Sequence, residues 1–193
     1  MLILISLRKY LNSMESEQQS PNLLRAASVY GLYLGLLLIL IQVIQYLSDI
    51  YVSPMFSMIT GIGTIVVLVL IIKNFRETKM NGWLTYGQGV GIGTLTATFA
   101  GLLLGGFMLV LVTLIDTEYT EKFLMQLEDT LIQGKYPEDK LDDYMDTQRD
   151  NINRVSFAYG PILQFGIGGL IVSLIASLFL RKTSESTFEK DTI

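Results

Sequence analysis

Charged residues are absent from four long stretches of the chain and are concentrated between them. The uncharged stretches are 26–47, 55–72, 84–115 and 155–180, and the shortest of them has 18 residues. About 20 helical residues, at about 1.5 Å each, cross a hydrocarbon core about 30 Å thick. Because a helix on the core of a soluble protein keeps a polar face and these stretches have none, the pattern predicts four transmembrane helices.

The connection between the third and fourth stretches, 116–154, predicts two further helices of a different kind. Apolar residues recur at helical spacing in its first half, at Tyr119, Phe123, Leu127 and Leu131. Gly134 is a natural helix stop, and Pro137 is typical of the first turn of a second helix. The predicted fold class is therefore an all-α membrane protein with four transmembrane helices plus an extracytoplasmic helical hairpin between helices 3 and 4.

Lys and Arg near the ends of the spans indicate which side is cytoplasmic. Four spans place the two chain ends and the connection after the second span on one side, where the basic residues are Arg8, Lys9, Arg25, Lys73, Arg76, Lys79, Arg181, Lys182 and Lys190. The segment 116–154 on the other side has five basic and eleven acidic residues. We therefore expect cytoplasmic N and C termini and an extracytoplasmic insert.

The predicted domain organisation follows from these boundaries. Residues 1–22 are expected to form a disordered cytoplasmic tail, 23–182 a four-helix membrane domain that includes the acidic insert, and 183–193 a second cytoplasmic tail. Residues 1–13 are expected to be either a floppy tail or an upstream start-site artefact, because Met14 opens a polar segment. No cleavable signal is predicted, so the first span would act as its own signal anchor.

The amino-acid composition excludes several kinds of functional site. The chain has no cysteine and no histidine, which removes disulfides, thiolate metal ligands and the commonest general base. Its net charge of -4 and the lack of a basic stripe argue against a nucleic-acid partner. The spans carry no Asp, Glu, Lys or Arg, which pumps and ion-coupled carriers usually place inside the membrane. We expect no enzyme activity, no catalytic residues, no metal and no cofactor.

Small residues at four-residue spacing predict close helix packing, since helices in lipid gain van der Waals contact where small side chains let their backbones approach. The candidates for helix packing are Gly31, Gly35, Gly89, Gly93, Ala97, Gly101, Gly105, Gly169, Ser173 and Ser177. Packing within one bundle is the first interpretation, and the seam of a homo-oligomer is the alternative. A stripe of period four drifts around the helix, so the third span is expected to contact two neighbours.

Polar residues in the spans are few. Gln42, Gln88 and Gln164 are the candidates for polar interhelical contacts, since amide side chains hydrogen-bond across helices in lipid. The alternative is that Gln88 and Gln164, with Thr94 and Thr98, line a path for a solute. The two interpretations differ in whether these side chains converge on a cavity.

The layout resembles a family of bacterial inner-membrane proteins known as a domain of unknown function, family 4199. The residues that carry the resemblance are 26–32 (AASVYGL), 84–89 (LTYGQG), 115–119 (IDTEY) and the glycine-rich fourth span that ends at Arg181 and Lys182. The resemblance covers 22–182 and implies four spans with an outer helical insert in the bacterial inner membrane. It implies no activity, and no site residues are carried over from it.

Two functions follow as hypotheses. The first is a non-enzymatic inner-membrane protein, structural or accessory, whose partners are the lipid bilayer and either further copies of itself or another membrane protein. The alternative is a small oligomeric transporter or channel.

Overall fold

The computed structural model describes residues 22–182, and within that range the regular structure is helical apart from one isolated β-bridge. The α-helices are α1 (Leu23–Leu47), α2 (Pro54–Lys79), α3 (Tyr86–Val110), α4 (Tyr119–Gln133), α5 (Glu138–Asn151) and α6 (Arg154–Leu180). Four of them, namely α1, α2, α3 with a short extension, and α6, are long and apolar enough to cross a membrane. The all-α, four-span fold is thus confirmed, and the chain is a multi-pass membrane protein. The predicted tails lie, except for Asn22, outside the described residues.

The crossings give the bundle two ends. The termini side holds both ends of the described chain and the connection between α2 and α3. The insert side holds the turn between α1 and α2, and also the insert, residues 116–153, which contains α4 and α5.

Side-chain caps define where the spanning helices begin. At the start of α3, Gln88 N donates to Thr85 Oγ1 at 3.3 Å and Thr85 N donates to Gln88 Oε1 at 3.1 Å. Asn153 and Ser156 form the same reciprocal arrangement at the start of α6. Such capping boxes satisfy backbone N–H groups that lack a helical partner, which matters most at the edge of a membrane.

The second span is longer than its uncharged stretch. The predicted span 55–72 becomes α2, which continues past Ile72 to Lys79. Charge marks where a helix leaves the hydrocarbon but does not break helical hydrogen bonds. Phe75, which is fully buried, packs this last part of α2 onto the bundle and stabilises the added turns.

The third span does not continue as a regular α-helix to its end. Tyr86–Ile115 has 30 residues, about 45 Å at the ordinary rise, which exceeds the hydrocarbon thickness. Its last turn, Leu111–Ile115, is π-helical, and the Asp116 amide donates to the Leu111 carbonyl at 2.8 Å. The wider turn ends the span and redirects the chain into the insert.

Helix α3 is the centre of the bundle. It packs against α6 along its length and against α1 on another face, whereas α1 and α2 barely touch each other. The fully buried side chains of α2, Leu68, Ile72 and Phe75, all lie in its termini-side half. That half therefore holds α2 in place, and its insert-side half stands away from the other helices.

Candidate functional site: a polar cavity beside the insert

Small residues of α3 lie directly against small residues of α6. A Cβ added to Gly89 would stand 2.5 Å from Ser177 Oγ, and one added to Gly93 would stand 2.9 Å from Ser173 Cβ. A Cβ on Gly169 would collide with Ala97 Cβ. Because the two helices run antiparallel, positions four residues apart on α3 pair with positions four residues apart, in reverse order, on α6. The pairs are Gly89 with Ser177, Gly93 with Ser173, and Ala97 with Gly169.

The same face of α3 continues toward the insert side, where it meets backbone instead of side chains. An added Cβ on Gly101 would lie 2.8 Å from the Pro161 carbonyl oxygen, and one on Gly105 would collide with the Ala158 carbonyl oxygen. On the other side of α3, Gly31 of α1 would place a Cβ 2.5 Å from Phe99 Cβ. Gly35 is likewise closed off by Leu103.

All ten candidate packing residues are buried within one chain. They lie on both helices where α3 meets α6, and on α1 where α1 meets Phe99 and Leu103 of α3. The third span thus contacts two neighbours, and its own small residues contact α6. A contact between two copies of the chain would therefore have to use other surfaces.

The three candidate glutamines have different surroundings. Gln42 of α1 donates from Nε2 to the Tyr119 hydroxyl at 3.3 Å and so bonds to another helix. Gln88 does not reach another helix, because its side chain caps its own helix at Thr85. Gln164 of α6 makes no hydrogen bond to another described residue and faces a cavity. Only the first is an interhelical bond.

A cavity of about 370 Å³ lies in the insert-side half of the bundle, between α1, α2, α3 and α6. Its apolar lining includes Leu38, Leu68, Leu104 and Phe165. Its polar side chains are Gln42, Gln45, Ser57, Thr60, Thr64 and Gln164. Thr94 and Thr98 do not line it, and Thr98 Oγ1 instead donates to the Thr94 carbonyl at 2.9 Å.

The cavity exists because the insert-side half of α2 lacks a close neighbour. Gly61 of α2 lines the cavity, and a Cβ added there would meet nothing within 4 Å. The polar side of α2 was detectable in the sequence, since Ser57, Thr60 and Thr64 recur at helical spacing. Gln45 lies three residues after Gln42, on the same face of α1.

The insert is fastened to the bundle beside this cavity by Gln126 of α4. Its Oε1 accepts from the backbone amides of Tyr51 at 2.8 Å and Val52 at 3.1 Å. Its Nε2 donates to the Asp49 carbonyl oxygen. One side chain thereby satisfies three backbone groups of the turn between α1 and α2. Sequence analysis missed Gln126, because a polar residue beside an apolar stripe resembles any solvated position.

Aromatic rings form the rest of this attachment. Tyr119, which is only 2% exposed, packs edge-to-face on Tyr51 at 5.1 Å and on Phe157 at 5.3 Å between ring centroids. Phe123 packs on Phe157 in the same manner. Such pairs stabilise beyond the area they bury, and these link α4 to the turn and to α6. We call Gln126 with these rings the mount of the insert.

An ion pair between Lys122 and Asp116 stabilises the start of the insert beside the mount. Lys122 Nζ lies 2.8 Å from Asp116 Oδ2, and the Glu118 amide donates to Asp116 Oδ1 at 3.1 Å. The bond from Lys122, together with the amide, holds the pKa of Asp116 below its ordinary value of 3.8. Burial raises the pKa of Tyr119 to about 12, so its hydroxyl stays neutral and accepts the bond from Gln42.

The second half of the insert is α5, which is polar and acidic. Helix α5 packs on α4, with Arg149 3.5 Å from Glu128 and the rings of Tyr136 and Tyr144 5.4 Å apart. Met145 is its buried anchor. Its acidic residues Glu138, Asp139, Asp142, Asp143, Asp146 and Asp150 are exposed.

Comparison with known proteins gives one match. The family model described as Protein of unknown function (DUF4199) matches residues 29–182, which is most of the chain and confirms the resemblance noted from the sequence. No curated protein and no solved structure matches the chain.

Proposed function

We propose that this chain, which belongs to the DUF4199 family of proteins of unknown function, is a non-enzymatic membrane protein that presents its insert to a partner. The proposal includes its setting: a bacterial inner membrane, both termini in the cytoplasm, and the insert on the outer face. The distribution of Lys and Arg supports this orientation.

The mount is the observation that carries the proposal. Gln126 and the aromatic rings fix the near end of the insert to two elements of the bundle, the turn between α1 and α2, and α6. A recognition surface held in one position loses less conformational entropy on binding than a mobile one does. A rigid attachment of a polar helix pair is therefore suited to recognition.

The exposed acids of α5 indicate the chemistry of the partner. A surface rich in Lys and Arg would complement them, since charge complementarity gives specificity and faster association. An accessory role beside a larger membrane protein with a basic outer surface agrees with this pattern.

Photo-crosslinking in living cells tests the proposal. A photoreactive amino acid at Asp142 or Asp143 is expected to capture a distinct protein, because both side chains are exposed. The same amino acid at Met145, which is 2% exposed, is the matched control and is expected to capture none. Equal or absent capture at all three positions would contradict the proposed recognition surface.

Reporter fusions test the orientation separately. An enzyme that is active only outside the cytoplasm is expected to be inactive when fused at the C terminus and active when inserted at Gly134, in the link between α4 and α5. The reverse pattern would contradict the orientation while leaving the fold unaffected.

A small oligomeric transporter or channel is the second candidate, and the cavity favours it. On the termini side of the cavity, Leu68 and Ile72 of α2 are buried against the bundle, so passage would require α2 to move. Flux measurements in liposomes that contain the purified protein test this candidate, and the absence of solute movement would contradict it.

A further inference from the structure

The cavity carries polar groups that the protein itself does not satisfy. Gln45 and Gln164 make no side-chain hydrogen bond to another described residue, and the Gln42 side chain makes one, to Tyr119. A carboxamide has two donor hydrogens and an acceptor oxygen. In hydrocarbon such groups are costly when unpaired, so these amides favour an occupant that can hydrogen-bond.

The depth of these groups limits where an occupant enters. Gln45 is two residues from the end of α1 at Leu47, near the level of the lipid headgroups. Gln164 is ten residues into α6 from Arg154, about 15 Å along the helix from that end. The polar wall thus runs from the headgroup level of the insert-side leaflet toward the middle of the bilayer.

The lining also selects by charge. No residue among those that line the cavity carries an ionisable side chain. An ion would enter a low-dielectric site without a counter-charge, which is strongly unfavourable. A neutral group that both donates and accepts hydrogen bonds fits the glutamines and hydroxyls, and the apolar lining residues fit a hydrocarbon chain.

The cavity is open to the side. Gly61 and Gly168 line it, and a Cβ on either would meet nothing within 4 Å. At about 370 Å³ it lies at the lower end of the size range of ligand pockets. It has room for a head and the start of a tail, and the remainder of the tail would lie along the exposed apolar face of α2.

We propose that this cavity binds one amphipathic molecule with a neutral, hydrogen-bonding head and an apolar tail, taken up sideways from the insert-side leaflet. Diacylglycerol represents the class, since its head offers a hydroxyl donor and ester acceptors without charge. The site is independent of the proposed recognition by the insert.

Photo-labelling of the full chain in phosphatidylcholine vesicles tests the proposal. One probe is a diacylglycerol with a diazirine in its acyl chain, and the other is the phosphatidic acid with the same chains. The diacylglycerol is expected to label residues around Gly61 and Gln164 several times more than phosphatidic acid does. Equal labelling by the two probes would overturn selection for a neutral head.

Two glycine variants separate the cavity from the general lipid contact of α2. Gly61→Phe would fill the cavity, whereas Gly63→Phe lies two residues away on the same helix, outside the lining, and its Cβ also meets nothing within 4 Å. Gly61→Phe is expected to reduce diacylglycerol labelling near Gln164 to the phosphatidic acid level, and Gly63→Phe to leave it unchanged. If both variants label like the wild type, the site is absent.

A third variant tests the polar wall. Gln164→Leu keeps the volume of the side chain and removes its amide, so labelling is expected to fall roughly three- to tenfold, the effect of one lost hydrogen bond. Unchanged labelling would contradict recognition of a polar head. A second copy of the chain is the competing occupant, and chemical crosslinking between copies tests for it. If two wild-type chains crosslink at the cavity and Gly61→Phe abolishes the crosslink, the proposed lipid site is overturned.

Discussion

Helices α3 and α2 both cross the membrane and both contain glycines, yet the two helices use them in opposite ways. A Cβ on Gly93 of α3 would lie 2.9 Å from Ile72 Cδ1 and would crowd Ser173, whereas one on Gly61 or Gly63 of α2 would meet nothing within 4 Å. In lipid, close packing does not follow from hydrophobicity and is favoured where small residues let the backbones approach. The part of α1 that faces Gly61 of α2 carries large side chains such as Leu38 and Ile41, and a cavity remains between the two helices.

The difference in packing between α3 and α2 also separates the part of the molecule that holds the fold from the part that lines the cavity. The contacts of α3 with α6 and α1 form the rigid frame on which the mount stands. The insert-side half of α2 is free of that frame, and the polar cavity lies beside it. Substitutions that alter the frame should therefore affect folding, and those in α2 should affect occupancy of the cavity.

The largest expected effect is at the α3–α6 contact. Gly101→Leu would push a side chain into the Pro161 carbonyl and the Ile162 backbone, which cannot rotate away. We expect a loss of about 3 kcal/mol in the free energy of unfolding, the upper end for overpacked cores. Unfolding in mixed micelles measures it. Gly106→Leu is the control on the same helix, since its Cβ meets nothing within 4 Å. The free energy of unfolding of this variant should be unchanged or higher by up to about 1 kcal/mol.

The next effect is at the mount. Gln126→Leu leaves two backbone amides and one carbonyl of the turn without their partner. We expect a local loss of about 2 kcal/mol, because unsatisfied groups cost their desolvation. Amide hydrogen exchange at 49–52 should accelerate while exchange in α3 stays slow. Gln133→Leu, at an exposed position of the same helix, should change neither, and equal acceleration in both variants would contradict the role of Gln126.

A smaller effect is expected from the ion pair, and it depends on pH. The pKa of Asp116 is lowered in the folded protein, so the ionised pair stabilises the fold above the ordinary carboxyl pKa. That contribution is lost as the pH falls below 3.8. Asp116→Asn should cost about 1 kcal/mol at pH 7, given that Lys122 is partly exposed.

The dependence of stability on pH distinguishes loss of the ion pair from other effects of replacing Asp116. Wild type and Asp116→Asn should converge in stability as the pH is lowered toward 3, measured by thermal unfolding of the insert. Glu121→Gln, which changes an exposed carboxylate of α4, should follow the wild type at every pH. A constant difference between wild type and Asp116→Asn across the titration would contradict the ion pair.

The smallest effect is expected at Ser173. Its hydroxyl is fully buried and has no hydrogen-bond partner among the described residues. Ser173→Ala removes a polar atom without leaving another unpaired, so the free energy of unfolding should change by less than about 0.5 kcal/mol or rise slightly. A loss well beyond that value would show that the hydroxyl contributes a bond across the helix contact.

Sequence reasoning located what depends on composition and local spacing. The four spans follow from uncharged length, and the two insert helices from the spacing of Tyr119 and Phe123, Gly134 and Pro137. Helix α2 extends beyond the uncharged stretch 55–72, because charge marks the membrane boundary and not the end of the helix. The π-helical turn at Leu111–Ile115 carries no compositional signal that distinguishes it from an α-helix.

The candidate site was only partly predictable for a related reason. Gln42 and Gln164 were identified as polar residues in apolar spans, but the role of Gln42 depends on where Tyr119 of α4 lies and that of Gln164 on where α2 lies. Gln88 was expected to reach another helix, whereas its backbone neighbours at the start of α3 offered a nearer partner. Gln126 acts on a turn distant in sequence, so no local pattern could reveal it.

The most direct test of the account compares one substitution at two glycines. Gly93→Leu and Gly61→Leu add the same side chain to two membrane helices, and the free energy of unfolding in mixed micelles is measured for both. The account predicts a loss of about 3 kcal/mol for Gly93→Leu and no loss, or a gain of up to about 1 kcal/mol from better helix propensity, for Gly61→Leu. Equal losses in the two variants would show that α2 is packed as closely as α3 and would contradict the open cavity.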